Sequence, residues 1–230
     1  MRTTPTLAAL LALASAPAAA ETRNYSVTGF DRVRVEGPFA VSLINNVAPF
    51  ARATGSLRAI DGVTIRVEGT TLVIQANRSA WGGGNRPAGP VTIAVGTHDL
   101  RQASVSGAGS LAIDSVRGLE FSLGLLGTGQ GSIGRVDVDR LKLALVGSGD
   151  AQLAGKAKSF TATVRGGAML DSSALATKDL TVTAMGPAKI AAMASGTAAI
   201  TASGTASVAI TGGPECTVKA SGSATVSGCD

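Results

Sequence analysis

Aromatic side chains are scarce: Phe, Tyr and Trp make up only 3% of the 230 residues, although 45% of the chain is hydrophobic. Ordinary globular domains of this size use aromatic volume in the core, so this core has to be built from Val, Ile, Leu and Ala. Histidine occurs once, at His98, and cysteine twice, at Cys216 and Cys229. A structural zinc normally takes four ligands, and His98 is too remote from the cysteines to join them, so no metal and no cofactor are expected. After the N-terminal segment, no apolar run approaches the roughly 20 residues of a membrane-spanning helix. Basic runs are absent too, and with few rings for bases to stack on, nucleic acid is excluded as a partner.

What is present begins with an export signal. Arg2 supplies a positive start, Leu7 to Ala14 an apolar stretch too short to span a bilayer, and Ala18-Ala19-Ala20 a small-residue cleavage motif before Glu21. Residues 1–20 therefore read as a signal peptide and 21–230 as one domain. No cysteine lies near the cleavage point to carry a lipid anchor. Removing Arg2 leaves 19 Lys and Arg against 15 Asp and Glu, a net charge of +4 for the mature chain. In an oxidising compartment the two cysteines should form a disulfide, Cys216–Cys229, that clips the last segment closed.

Glycine, at 30 residues, is abundant and periodic. From residue 100 onward Gly107, Gly127, Gly147, Gly166, Gly186, Gly204 and Gly222 follow one another at intervals of 20, 20, 19, 20, 18 and 18 residues. Four residues after each glycine stands Leu111, Gly131, Ala151, Leu170, Ile190, Val208 or Val226, apolar with the exception of Gly131. Two residues before each stands Val105, Leu125, Leu145, Val164, Ala184, Ala202 or Ala220. Segments such as Leu141-Lys142-Leu143-Ala144-Leu145 alternate apolar and polar, the period of a strand with one buried face. A unit of 18–20 residues is too short for a four-stranded propeller blade and fits one rung of a β-solenoid, with glycine at a sharp corner.

Residues 24 to 100 are less regular, although 33–35, 40–43, 63–67, 71–74 and 91–95 read as strands. Gly37-Pro38 resembles Gly186-Pro187, so the winding is expected to start there. At about 20 residues per turn, 210 residues give on the order of ten turns and a rod of about 45–50 Å. No helical patterning is visible beyond the signal. The pattern breaks at about 76–90, a loop insertion holding Arg78, Trp81 and Arg86. An exposed aromatic beside arginines can stack on a sugar or clamp an anion; the alternative is an insertion whose tryptophan covers the solenoid wall.

β-Helix polysaccharide lyases and hydrolases converge carboxylates from adjacent turns on one face. Measured from their own glycines, Asp114, Asp137, Asp139, Asp150, Asp171 and Asp179 fall at offsets 7, 10, 12, 3, 5 and 13, so they do not align. Asp137 and Asp139 share one strand face, with Arg135, Arg140 and Lys142 nearby, which makes them the pair on which a carbohydrate-active enzyme would rest. A solvated ion-pair patch is the better explanation of them, and no catalytic residues are assigned. His98-Asp99 is not a triad by adjacency.

The segments Gly29-Phe30-Asp31-Arg32-Val33-Arg34-Val35-Glu36-Gly37 and Leu100-Arg101-Gln102-Ala103-Ser104-Val105-Ser106-Gly107-Ala108-Gly109-Ser110 resemble the bacterial family called putative auto-transporter adhesin, head GIN domain. The resemblance extends over residues about 28 to 228. It implies a single-stranded right-handed parallel β-helix, all-β and exported to the periplasm or cell surface, with no established activity and no catalytic residues to carry over. The expected function is a non-enzymatic binding or adhesion module. Its partner would be a glycan, an anionic envelope surface or another protein, and oligomers are compatible with it.

Overall fold

Apolar and polar residues alternate along most of the chain, and 75% of it is strand in a computed structural model that describes residues 20–77 and 89–229. The first part holds β1 (Glu21–Tyr25), β2 (Arg32–Glu36), β3 (Ala40–Asn45), β4 (Phe50–Gly55), α1 (Leu57–Asp61), β5 (Val63–Glu68), β6 (Thr71–Ala76) and β7 (Val91–Thr97). After β8 (Gln102–Gly107) come five long strands that each bend around a whole turn: β9 (Ser110–Gly127), β10 (Gln130–Gly147), β11 (Asp150–Gly166), β12 (Met169–Met185) and β13 (Lys189–Gly204). The short β14 (Ser207–Thr211), β15 (Glu215–Gly222) and β16 (Thr225–Ser227) complete the chain.

From β8 onward every pairing is parallel, with equivalent residues of successive turns opposite one another, as in Gly127, Gly147 and Gly166. The result is a parallel β-solenoid of about six turns. Each turn has three walls. In β9 they point Leu111 and Ile113, then Val116, then Phe121, Leu123 and Leu125 inward. The inward positions read from the sequence are buried from Leu111 to Val208, Gly131 included, and from Val105 to Ala202; Gly131 is the exception only in lacking a side chain. That exception has a packing reason: a Cβ on Gly131 would lie 2.9 Å from Leu125 Cδ1, so Leu125 already fills the space. Toward the C-terminus the core side chains of one row shrink, from Leu125 and Leu145 through Val164 to Ala184 and Ala202. Shorter rungs accompany the smaller core.

The corner glycines stack into one column that starts at Gly37. Gly147 illustrates why: its φ is +120°, and an added Cβ would stand 2.2 Å from the carbonyl oxygen of Gly127 in the turn beneath. Neither the backbone angle nor the space admits a side chain.

Residues between β3 and β8 do not continue the winding. β2 and β3 pair forward with β8 and β9, and backward with β6 and β7, which come later in sequence. Antiparallel β5, β4 and β1 then cover that end. The number of turns is therefore about six, not about ten, because this excursion spends its residues on a cap. Its strands still stack on the axis. The ordered path β1-β4-β7-β3-β9-β10-β11-β12-β13-β14-β16 has ten intervals, about 48 Å at ~4.8 Å each. A second correction is α1, a single turn capped by Ser56, whose Oγ accepts from Ala59 N at 3.2 Å; its Ala59 and Ile60 are buried.

Buried polar groups fix where the excursion leaves and returns. Asn45 N donates to Asp114 Oδ1 at 2.8 Å, and Asn45 Oδ1 accepts from Leu100 N at 3.2 Å. The buried Thr97 hydroxyl donates to the Phe30 carbonyl. Each satisfies a group that would otherwise be lost from water unpaired.

Candidate functional site

The second wall and the start of the third carry most of the charge in the wound region. Register sets the order of signs along the axis. Arg117 of β9 lies opposite Asp137 of β10, which lies opposite Lys156 of β11. Glu120 lies opposite Arg140, and Ser115 opposite Arg135. These alternate because the residues occupy equivalent outward positions in successive turns about 4.8 Å apart, close enough for ion pairs.

The pairs that result are Glu120 with Arg140 at 3.1 Å and Lys142 at 2.7 Å, Asp137 with Lys156 at 3.4 Å, and Asp139 with Lys158 at 2.8 Å. The hydrogen bond from Lys142, supplemented by Arg140, holds the Glu120 carboxyl below its ordinary range. All these side chains are at least a third exposed, so the pairs contribute little to stability. Arg117, Arg135 and Lys178 are exposed and enter no ion pair among the described residues. Two residues from Arg117, at the β9 end of this ridge, Leu119 stands 74% exposed, the most solvent-facing large apolar side chain described.

Asp137 and Asp139 thus face lysines of the next turn rather than a second carboxylate. Their partners Lys156 and Lys158 come from 19 residues downstream, a pairing visible only once that turn's length is known. Arg140 and Lys142, which stand nearby in sequence, instead serve Glu120. Asp150 lies opposite Gln130 and Met169, and Asp171 opposite Gln152 and Ala191, again without a second acid alongside. Asp171 accepts from the Ser173 hydroxyl at 2.6 Å and backbone N at 3.1 Å, which lowers its pKa.

On the first wall, Ser110, Gln130, Ser132, Asp150 and Gln152 line a shallow depression of about 220 Å³. Leu111, Ala112 and Gly131 also line it, so polar and apolar surface contribute about equally. Among the described residues no cluster of three or more His, Cys, Asp or Glu could hold a metal ion. His98 is exposed. Arg78, Trp81 and Arg86 lie outside the described residues, as does the signal segment through residue 19. Cys216 and Cys229 are joined in a disulfide with Cα atoms 5.5 Å apart.

No curated protein matches the sequence. Solved structures do. An adhesin described as putative from Bacteroides fragilis NCTC 9343 superposes with a TM-score of 0.80 at 16% identity, covering 90% of this chain and 96% of the other. A putative lipid binding protein from Parabacteroides distasonis ATCC 8503 gives 0.69 at 18% identity, covering 90% and 95%. A putative adhesin from the same strain gives 0.69 at 14% identity, covering 90% and 96%. At these identities the likeness is one of fold. The sequence itself is matched over residues 29–214 by a family model, and with the solenoid and its glycine column this chain belongs to the family described as putative auto-transporter adhesin, head GIN domain.

Proposed function

We propose that the chain is an exported, non-enzymatic binding module of the bacterial envelope, and that the charged ridge beside Leu119 is its contact surface for anionic groups of a glycan or a lipid surface. The observation that carries this reading is where the charge sits. Arg117, Arg135, Arg140, Lys142, Lys156, Lys158 and Lys178 stand against Glu120, Asp137, Asp139 and Asp179, an excess of three positive charges out of the mature net of four. Three of those cations, Arg117, Arg135 and Lys178, lack an ion-pair partner among the described residues; Arg117 stands two residues from the exposed Leu119, and Lys178 lies three turns further along the ridge. A rigid ridge with an excess of cations attracts anions over about a Debye length. The names of the fold relatives, adhesins and a lipid binding protein, point the same way.

Catalysis by Asp137 and Asp139 has less support, since each carboxylate is engaged by a lysine of the next turn. Glycan-array and vesicle binding, run beside a reducing-end assay on acidic polysaccharides, separates the readings. Binding without turnover is expected. Turnover that vanishes in an Asp137→Asn/Asp139→Asn variant would overturn the non-enzymatic reading.

A further inference from the structure

The two ends of the solenoid are built differently. At the N-terminal end β1, β4, β5 and α1 cover the first turn. At the other end β15 pairs with β13 and β16 with β14, and neither has a strand on its far side among the described residues. Val218 belongs to the inward row that ends Val182, Ile200, Val218, yet it is 41% exposed. The segments outside the described residues that precede Ala20 and join Asn77 to Gly89 attach at the opposite end. An unpaired edge with an uncovered core row is a site for another strand.

The sequence of β15, Glu215-Cys216-Thr217-Val218-Lys219-Ala220-Ser221-Gly222, indicates which strand fits. Two copies of β15 laid antiparallel about a two-fold axis must oppose residues of the same face. Centring that axis on Thr217 sets Glu215 against Lys219 of the second copy, and Lys219 against its Glu215. The same register sets Cys216 against Val218 on the core side. Centring it on Lys219 would oppose like charges, and centring it on Cys216 or Val218 leaves Glu215 and Lys219 without each other. We infer that β15 is a self-complementary edge through which two copies of this chain associate tail to tail, in the register centred on Thr217, so that the two solenoids form one continuous sheet.

The test uses the whole exported chain with its disulfide intact, followed by sedimentation velocity over a range of concentrations. The wild type is expected to dimerise reversibly. Glu215→Lys and Lys219→Glu each turn two attractive cross-strand pairs into repulsive ones, weakening the dimer about tenfold or more. Mixing the two variants restores attraction at both pairs and should recover a heterodimer, as should the Glu215→Lys/Lys219→Glu double variant alone. Both positions are exposed, so melting temperatures should stay near wild type. Thr217→Cys gives an independent check, because residue 217 meets its own copy at a distance a disulfide can bridge and should cross-link two chains on oxidation. A wild type that stays monomeric throughout, single variants that dimerise as well as wild type, or a mixture that fails to recover the dimer would each overturn the inference.

Discussion

Replacing three glycines by alanine, two on β9 and one at the end of β10, separates two reasons for glycine in this solenoid. Gly124 faces outward on the third wall without a left-handed backbone, and an added Cβ would be 3.9 Å from its nearest neighbour, Ser104. Gly124→Ala should be neutral or stabilise by about 0.5–1 kcal/mol, because glycine loses more chain entropy on folding. Gly118 has φ +131° but open space around the Cβ position, so Gly118→Ala meets backbone strain alone, about 1–3 kcal/mol. At Gly147 the same strain is joined by a Cβ 2.2 Å from Gly127 O, which forces the turns apart where Ser148 N donates to that oxygen at 2.9 Å. Losing that bond adds about 1 kcal/mol before any repulsion, so Gly147→Ala should cost about 3–5 kcal/mol in all. Urea unfolding followed by circular dichroism reads the three shifts in midpoint at constant slope. If Gly147→Ala and Gly118→Ala proved equally costly, close stacking of the turns would not be the reason for the glycine column.

Removing the disulfide with Cys216→Ser/Cys229→Ser should cost about 3 kcal/mol by the chain-entropy model for a loop of this size. The loss should be local, with hydrogen exchange rising in β15 and β16 before β9 to β11, since each turn contacts only its neighbours. Asn45→Ala strips Leu100 N of its acceptor in a buried site and should lower stability by about 1–3 kcal/mol, read by thermal or urea melting. For Asp171 the folded pKa is lowered, so its stabilising effect is present above the unfolded carboxylate pKa of about 3.9 and is lost as pH falls through the folded value. The stability difference between wild type and Asp171→Asn should therefore be constant near neutrality and shrink in acid; a difference that grows on acidification would contradict the assignment to the Ser173 hydrogen bonds.

The wound part of the fold was legible because each rung repeats one pattern: a glycine that needs a left-handed corner, with apolar residues at fixed offsets from it. Leu125 and Leu170 can be assigned to the core by counting alone. Counting fails before residue 100, since alternation makes β6 a strand without stating that β2 will pair with it from across α1 and β5. The capping strands β1 and β4 carry Arg23, Arg52 and small Ala51 and Ala53, too weak an alternation to stand out, and α1 at five residues is too short for a 3.6-residue period to register. The ridge was half legible. Asp137, Asp139, Arg140 and Lys142 are neighbours in sequence, but Lys156 and Lys158 reach the acids only through a 19-residue turn. The excess of cations there becomes apparent when three turns are laid side by side.

The functional account rests on that excess, and the most direct measurement is the affinity of wild type and an Arg117→Ala/Arg135→Ala/Lys178→Ala variant for anionic vesicles and, in parallel, for an acidic polysaccharide at low and physiological salt. At about 1 kcal/mol for each cation near an anionic surface, the variant should bind roughly a hundredfold more weakly to whichever anion is the partner, with wild-type binding falling as salt rises. Equal affinity for variant and wild type, or wild type that binds neither anion, would contradict the assignment of the ridge as the contact surface.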